Sequence, residues 1–301
     1  MKLLWVLVGS AVIPVAAAAS NTVAPPRAEV LDVRALARET QASASPMREL
    51  SGLDWDATRQ RLVAVSDRGW VLELVLDPHA QTLASLELAR SVEVRAPTKP
   101  RVNGESVIAR PDGWWVADEA RRRVLDVSRE GNVRGERALP GGLGAGASAS
   151  KSSGSDVEAV AFHPRHGLLA VAQRPRASDP PGTHVVHAEN GRTWLLAVST
   201  GGRSTIKAAD LRGDRLRLLE KIDPDVKGAP YWFVVREVDL AADTPSPARA
   251  WIIDDARLVG HNLEGLACMD DTRCVLVSDS GGSKAGDVTL FVLVRLPAPA
   301  R

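Results

Sequence analysis

Residues 49–56 read ELSGLDWD, and four related segments follow along the chain. They are NGESVIAR at 103–110, DVEAVAFH at 156–163, KAADLRGD at 207–214 and NLEGLACM at 262–269. We take as equivalent markers Ser51, Glu105, Glu158, Asp210 and Glu264, which are 54, 53, 52 and 54 residues apart. A nearly fixed period of this length indicates a repeat architecture.

Each marker leads into a turn signal and then an apolar strand, which together predict a short hairpin. The five strands end at Asp67, Asp118, Gln173, Glu220 and Asp279. Because the first and last residues of a hairpin meet at its open end, marker and terminal residue are expected to be neighbours. If the units surround an axis, these side chains gather on one rim.

Further apolar segments give each complete unit four strands, and no helical periodicity competes with them. In the third unit we assign the outer strands to TWLLAVS at 193–199 and RSTIKAA at 203–209. Four-stranded antiparallel units around a ring predict an all-β fold, a β-propeller. We expect five blades, with AEVLDVRAL at 28–36 completing the last one, and leave a weakly marked sixth open.

The stretch 176–191, which contains His184 and His187 at HxxH spacing, is interpreted as a long loop near the rim. Long loops in compact domains are often functional, although plain insertion is an equal alternative.

The first 20 residues combine Lys2, an apolar run and small residues, which predicts a secretory signal peptide. Residues 21–301 then form a single propeller domain, periplasmic or secreted. The full chain has 38 basic and 37 acidic residues, so loss of Lys2 leaves a net charge of zero. We therefore expect no nucleic-acid partner and no membrane insertion, and a monomer.

The only cysteines, Cys268 and Cys274, flank the predicted turn of the fifth hairpin. They could face each other across two strands, and an exported protein meets an oxidising compartment. A zinc site would need further Cys or His ligands nearby. The pair therefore predicts a disulfide.

Five segments carry a resemblance to the secreted phytase-like family, and this resemblance runs from about residue 47 to residue 295. In order along the chain they are ELSGLDWDATRQRLVAVSDRG, NGESVIARPDGWWVADE, DVEAVAFHPRHGLLAVAQR, DRLRLLEK and HNLEGLACMDDTRCVLVSDSGG. The resemblance implies a propeller and an ester or phosphoester hydrolase. Two positions depart from the family pattern: Gln173 stands where a carboxylate is usual, and Lys221 follows Glu220 where Arg is usual.

Carboxylates crowded around one opening repel each other unless cations bind there. Oxygen-only ligands at such a mouth favour calcium over zinc or magnesium. We predict a calcium site formed by Asp67, Glu105, Asp118, Glu158 and Asp279. The alternative is structural: Arg68, Arg174 and Lys221 follow hairpin ends and could neutralise the same carboxylates.

With a metal present, the same three cations become substrate-binding candidates, joined by His261 and Asn262 beside the last marker. Glu119 or Glu264 would take a proton from the attacking water. The substrate is then a small-molecule ester or phosphoester. The rival prediction is a non-catalytic propeller that binds a ligand or an envelope protein.

Overall fold

The structure is a computed structural model that describes residues 25–36, 45–97, 101–144, 157–241, 249–280 and 288–298. Within these ranges, 20 strands form five four-stranded antiparallel sheets. The five-bladed β-propeller prediction is confirmed. The predicted signal peptide, residues 1–20, lies outside the described residues. In the part of the chain described, no helix is long and apolar enough to cross a bilayer.

In blades 1 to 4 the strands follow the chain from the axis outward. Blade 1 contains β2 (Leu50–Asp56), β3 (Arg61–Ser66), β4 (Trp70–Val75) and β5 (Glu87–Glu93). Blade 2 contains β6 (Gly104–Arg110), β7 (Gly113–Asp118), β8 (Arg123–Ser128) and β9 (Val133–Ala138). Blade 3 contains β10 (Ala159–His163), β11 (Gly167–Val171), β12 (Thr183–Ala188) and β13 (Thr193–Ala197).

Blade 4 contains β14 (Gly202–Arg212), β15 (Arg215–Pro224), β16 (Trp232–Asp239) and β17 (Arg249–Ile253). Blade 5 contains β18 (Asn262–Cys268), β19 (Arg273–Asp279), β20 (Leu290–Arg295) and, outermost, β1 (Glu29–Ala35). Two short 3₁₀ turns, Pro140–Gly142 and Ala256–Leu258, lie in links between blades.

Apolar side chains between neighbouring blades form the core. Five clusters of buried residues occur, one at each blade junction, including the junction between blades 5 and 1. Between blades 1 and 2, for example, Val63 and Val65 of β3 pack with Trp114 and Val116 of β7. Alternating strand residues supply both faces of each sheet, which is why the sequence shows strand periodicity throughout.

The N-terminal strand closes the ring, as predicted. β1 pairs antiparallel with β20, with Val33 opposite Val292. Arg34 then donates hydrogen bonds to the carbonyl oxygens of Leu83 and Leu86 in blade 1. The outer edge of blade 5 is thereby paired, which removes an exposed strand edge.

The predicted disulfide is also confirmed. Cys268 lies directly opposite Cys274 in the β18–β19 hairpin, and their Sγ atoms are 2.10 Å apart.

One blade boundary was predicted wrongly. The segment RSTIKAA is not the outer strand of blade 3, because it belongs to β14, the innermost strand of blade 4. The outer half of blade 3 is β12 and β13, so residues 183–188, predicted as part of a loop, form a strand. His184 and His187 therefore lie on β12, both buried.

The innermost strands of the five blades neighbour one another around a central axis. Four of them carry a register shift of one residue, at Leu50/Gly52, Gly104/Ser106, Ile206/Ala208 and Leu263/Gly265. These shifts are β-bulges, which turn the extra side chain out of the regular ladder. In blade 3 the corresponding residue, Glu158, directly precedes the first paired residue of β10.

In blades 1 and 5 the residue after the bulge is a glycine, and the close approach of a neighbouring blade requires it. A Cβ at Gly52 would lie 2.6 Å from the Cα of Ser106. We therefore expect Gly52→Ala to lower the melting temperature by roughly 3–8 °C, since about 1–2 kcal/mol is typical of such overpacking. Thermal unfolding followed by circular dichroism measures the change.

Gly135→Ala on the outer strand β9 is the matched control. A Cβ there meets no atom within 4 Å. Its melting temperature is expected to stay within about 1 °C of the unmodified protein, since surface substitutions usually have small effects. If the melting temperature fell equally in both variants, the close contact at Gly52 would not be the cause.

Candidate active site at the channel mouth

The bulges place two rings of side chains at one end of the axis. The bulge ring consists of Ser51, Glu105, Glu158, Lys207 and Glu264. The second ring, at the end of the next strand in each blade, consists of Asp67, Glu119, Gln173, Lys221 and Asp279. We call the two rings together the mouth. It combines six carboxylates, two lysines and two neutral side chains.

Direct contacts within single blades support this pairing of the rings. Ser51 Oγ donates a hydrogen bond to Asp67 Oδ1, and Gln173 Nε2 donates one to Glu158 Oε1. Marker and strand end are thus neighbours in these blades, as the hairpin geometry predicts.

Lys207 is the member of the bulge ring that sequence reasoning missed. Its Nζ lies 2.5 Å from Glu158 Oε2 and 2.9 Å from Glu264 Oε1, so it joins carboxylates of blades 3 and 5. The side chain is only 8% exposed. Burial acts to lower the pKa of Lys207, but Glu264 and Glu158 outweigh burial and raise it. The mouth therefore contains an internal cation on one side.

Asp210, predicted as the fourth marker, lies three residues beyond Lys207 on β14 and does not reach the mouth. Its Oδ1 accepts a hydrogen bond from the backbone N–H of Cys268 at 3.0 Å. The apolar–polar–small pattern of Ile206, Lys207 and Ala208 matches that of the other bulges and could have identified the position. Lys207 was not predicted as the marker because its side chain is basic, whereas Glu105, Glu158 and Glu264 are acidic.

Two of the predicted strand-end residues are turned away from the mouth. Asp118 accepts hydrogen bonds from the backbone N–H of Asn103 at 3.0 Å and from Arg121 Nη1 at 2.5 Å. Glu220 accepts from Ser199 Oγ at 2.6 Å and from Ser204. Both are one residue short of the second ring, where Glu119 and Lys221 stand.

Glu105 is the least compensated carboxylate of the mouth. Among the described residues it forms no hydrogen bond or ion pair. Burial raises the pKa of Glu105 well above its usual value, and the charges of Asp67, Glu158 and Glu264 raise it further. Burial also raises the pKa of Asp67 to about 8 and that of Glu158 to about 7.

The predicted substrate-binding cations occupy different environments. Arg68 is held by Glu49, with Nε and Nη2 at 2.7 and 2.9 Å from its carboxylate oxygens. Arg174 Nε is buried and has no hydrogen-bond partner among the described residues. Lys221 Nζ lies 4.0 Å from the centre of the Tyr231 ring and 3.7 Å from Asp223 Oδ1. Burial lowers the pKa of Lys221.

The remaining predicted residues lie beside the mouth. Asn262 Nδ2 donates to Glu264 Oε1 at 2.5 Å, and Asn262 is paired with Asp279 across the hairpin. Its Oδ1 and the Nδ1 of His261 are buried without a hydrogen-bond partner in the described part of the chain. Burial lowers the pKa of His261. Glu119 Oε2 accepts from Asn103 Nδ2 at 2.6 Å.

The mouth has the donor chemistry of a hard cation site, because six of its ten side chains are carboxylates. In the described residues, no three His, Cys, Asp or Glu side chains are arranged to hold a metal ion as they stand. Lys207 does not contact four of the mouth carboxylates, Asp67, Glu105, Glu119 and Asp279. These four could hold a metal ion after rotation of their side chains. Their mutual repulsion would be relieved by a cation there.

The raised pKa values predict how stability depends on pH when no metal is supplied. Asp67 and Glu158 have pKa values of about 8 and about 7 in the folded protein, against ordinary values of 3.8 and 4.5. The folded state therefore binds more protons than the unfolded state over this range, so stability falls as pH rises. We expect the melting temperature in chelator to fall by roughly 3–8 °C between pH 5.5 and pH 8.5.

Scanning calorimetry at several pH values tests this expectation, with Glu105→Gln as the comparison, because that variant removes one repelling charge. Its dependence on pH should be shallower. A melting temperature that rises with pH over the same interval would show that the carboxylates are well compensated.

Comparisons with known proteins agree with the repeat pattern. The family model of the phytase-like proteins, described as esterase-like activity of phytase, matches residues 45–282. No curated protein matches the chain.

Solved structures similar to this chain have low identity. A glutaminyl cyclase from Myxococcus xanthus is 11% identical over 91% of this chain and 100% of its own, with a TM-score of 0.46. A luciferin-regenerating enzyme is 10% identical over 88% of this chain and 97% of its own, with a TM-score of 0.43. The WD40 repeats of RRP9 are 8% identical over 89% of this chain and 99% of their own, with a TM-score of 0.48.

The family match covers both rings of the mouth, from Ser51 to Asp279, and every blade contributes to it. The chain therefore belongs to the phytase-like family.

Proposed function

We propose that this protein is a calcium-dependent hydrolase of small ester or phosphoester substrates, acting at the mouth. The proposal rests on the environment of Glu105. This carboxylate has no hydrogen-bond or ion-pair partner in the described chain and is surrounded by other carboxylates. Such a group is costly unless a cation joins it. Membership of the phytase-like family supports ester hydrolysis.

The proposed ligands are Asp67, Glu105, Glu119 and Asp279. Glu158, part of the original prediction, is a weaker candidate because Lys207 and Gln173 already contact its two oxygens. Asp118 is left out because Arg121 and backbone N–H groups engage it. A divalent cation bound there would polarise the ester or phosphoester oxygen and make water more acidic.

The chain's own residues would bind the substrate and move the proton. Arg174 and Lys221 would contact the acidic or phosphate group. The Nε of Arg174 lacks a partner in the described chain, and Lys221 Nζ has a long contact with Asp223 and lies over the Tyr231 ring. His261 and Asn262 offer buried polar atoms at the same opening. Arg68 would contribute mainly by positive charge, because Glu49 holds its guanidinium.

Between the two candidate bases, we favour Glu119. Glu264 Oε1 is engaged by both Lys207 and Asn262, whereas Glu119 is engaged by Asn103 alone among the contacts described. A carboxylate that keeps one oxygen available can accept a proton from water at hydrogen-bond distance. Glu119 would then serve as either ligand or base, and Glu264 as a positioning residue.

We also propose that the mature protein is exported to the periplasm or secreted as a monomer. The disulfide Cys268–Cys274 supports an oxidising compartment, where such bonds persist. The predicted signal peptide points the same way.

A hydrolysis assay separates this proposal from the rival, a non-catalytic propeller. Purified mature protein is tested with p-nitrophenyl phosphate and p-nitrophenyl acetate, first in chelator and then with calcium. The proposal expects turnover with at least one substrate only when calcium is present. Stabilisation by calcium without turnover of either would favour the binding protein, and equal turnover in chelator would contradict metal dependence.

A further inference from the structure

A second cavity lies farther down the axis than the mouth. It has a volume of about 220 Å³ and is lined by the inner strands of blades 1 to 4. Its two acidic residues, Asp54 and Asp210, each lie three residues after a bulge, at Ser51 and Lys207. At about 3.3 Å per strand residue, this is on the order of 10 Å from the mouth.

The two carboxylates are fixed in the same way by neighbouring blades. Asp54 Oδ2 accepts from the backbone N–H of Ala109 at 2.6 Å, and Asp210 Oδ1 accepts from that of Cys268 at 3.0 Å. The second oxygen of Asp54 accepts from the N–H of Trp55 at 2.9 Å. The second oxygen of Asp210 is different: it is buried and has no partner among the described residues.

Burial raises the pKa of Asp210 and the charges of Arg217 and Arg212 act to lower it, but neither guanidinium forms a hydrogen bond with this oxygen. Asp210 is 5% exposed. Arg212 donates to the carbonyl oxygen of Cys268, and Arg217 pairs with Glu237, so both guanidinium groups are committed elsewhere. Arg110 also lines the cavity, but its guanidinium stacks over Trp115 at 4.2 Å.

We propose that this cavity binds a small primary ammonium ion, with Asp54 and Asp210 as counter-ions. An ammonium has three N–H donors, which suits one unpartnered carboxylate oxygen, a second carboxylate and a further acceptor. The aromatic rings of Trp55 and Phe162 and small apolar side chains line the rest of the cavity and suit a short alkyl chain. A third acidic or His ligand that a metal would need is absent from the described lining.

The volume agrees with such a ligand. A water molecule occupies about 30 Å³ of liquid, so the cavity can hold several waters or one short alkylammonium. Burial raises the pKa of Asp54 to about 7 and that of Asp210 to about 6, and the charge of Asp210 adds to the effect on Asp54. Two carboxylates that repel each other are better accommodated when a cation lies between them.

The test is a ligand-observed NMR titration of the mature protein with n-propylammonium at pH 8, where both carboxylates are largely ionised. We expect saturable binding with a dissociation constant on the order of 1 mM, given the few heavy atoms of the probe. The neutral isostere n-propanol should not saturate. Absence of saturable binding by n-propylammonium would overturn the proposal.

Asp210→Asn is the decisive variant, because it keeps the acceptor for the N–H of Cys268 and replaces only the unpartnered oxygen. We expect at least tenfold weaker binding and an unchanged or higher melting temperature. Ala161→Leu narrows the cavity without touching either carboxylate and should also abolish binding. Glu105→Gln at the mouth should bind as the unmodified protein does.

Three outcomes would count against this site. Equal binding by the Asp210→Asn variant would remove the counter-ion role. Loss of binding in Glu105→Gln but not in Asp210→Asn would place the ammonium at the mouth instead. Displacement of the probe by calcium in both the unmodified protein and Glu105→Gln would mean that the cavity prefers a divalent metal.

Discussion

Glu105→Gln is expected to lower calcium-dependent turnover by at least 100-fold while raising the melting temperature in chelator by roughly 2–6 °C. The physical reason is the same for both effects. Glu105 is repelled by Asp67, Glu158 and Glu264 and has no compensating partner in the described chain, so its charge destabilises the metal-free fold. We propose that calcium binding requires this same negative charge. Steady-state kinetics and calorimetry measure the two effects.

Glu87→Gln is the matched control, because Glu87 is an exposed acid on the outer strand β5. It should leave both turnover and melting temperature within experimental error. If Glu105→Gln instead lowers the melting temperature in chelator, the carboxylate is a structural hydrogen-bond acceptor. Unchanged turnover in that variant would exclude Glu105 from the reaction.

Lys207→Met is expected to lower the free energy of unfolding by about 3–5 kcal/mol in chelator, the usual cost of leaving a buried charge without its partner. The substitution leaves Glu158 and Glu264 without the cation that contacts both of them. Calcium should recover part of this loss, because the two carboxylates then become available as metal ligands. Urea unfolding with and without calcium gives both free energies.

Lys227→Met removes an exposed lysine from a loop and serves as the control. Its free energy of unfolding should change by no more than about 0.5 kcal/mol, as is usual at surface positions. A Lys207→Met variant as stable as this control in chelator would mean that Lys207 contributes little to holding the mouth together.

The architecture could be predicted from the sequence because its cause is local and repeated. Strand periodicity, turn residues and a nearly constant interval specify one blade, and the apolar N-terminal segment Glu29–Ala35 specifies the closing strand. The disulfide was predictable for the same reason, since Cys268 and Cys274 flank a short turn. The boundary between blades 3 and 4 was not predictable in this way, because the sequence of β12 follows the turn-rich segment 176–182 and resembles part of a loop.

The composition of the mouth was predicted less well, because a β-bulge moves a side chain by one position without leaving a clear sequence signal. Asp118 and Glu220 were predicted as the strand ends, but they bond to Asn103 and Ser199, and the second ring is formed by Glu119 and Lys221. The sequence had indicated Glu119 as a base and Lys221 as a substrate-binding residue. Asp210 was predicted as the marker in place of Lys207. The strand register shows that a lysine occupies the fourth position of the bulge ring, a position that the pattern of Ile206, Lys207 and Ala208 could have indicated.

The most direct test of the proposed function is a calorimetric titration of calcium into chelator-treated mature protein, paired with the same titration of Glu105→Gln. We expect saturable heat for the unmodified protein and at least tenfold weaker binding for the variant. No heat for the unmodified protein, or identical binding by both proteins, would contradict a calcium site at the mouth.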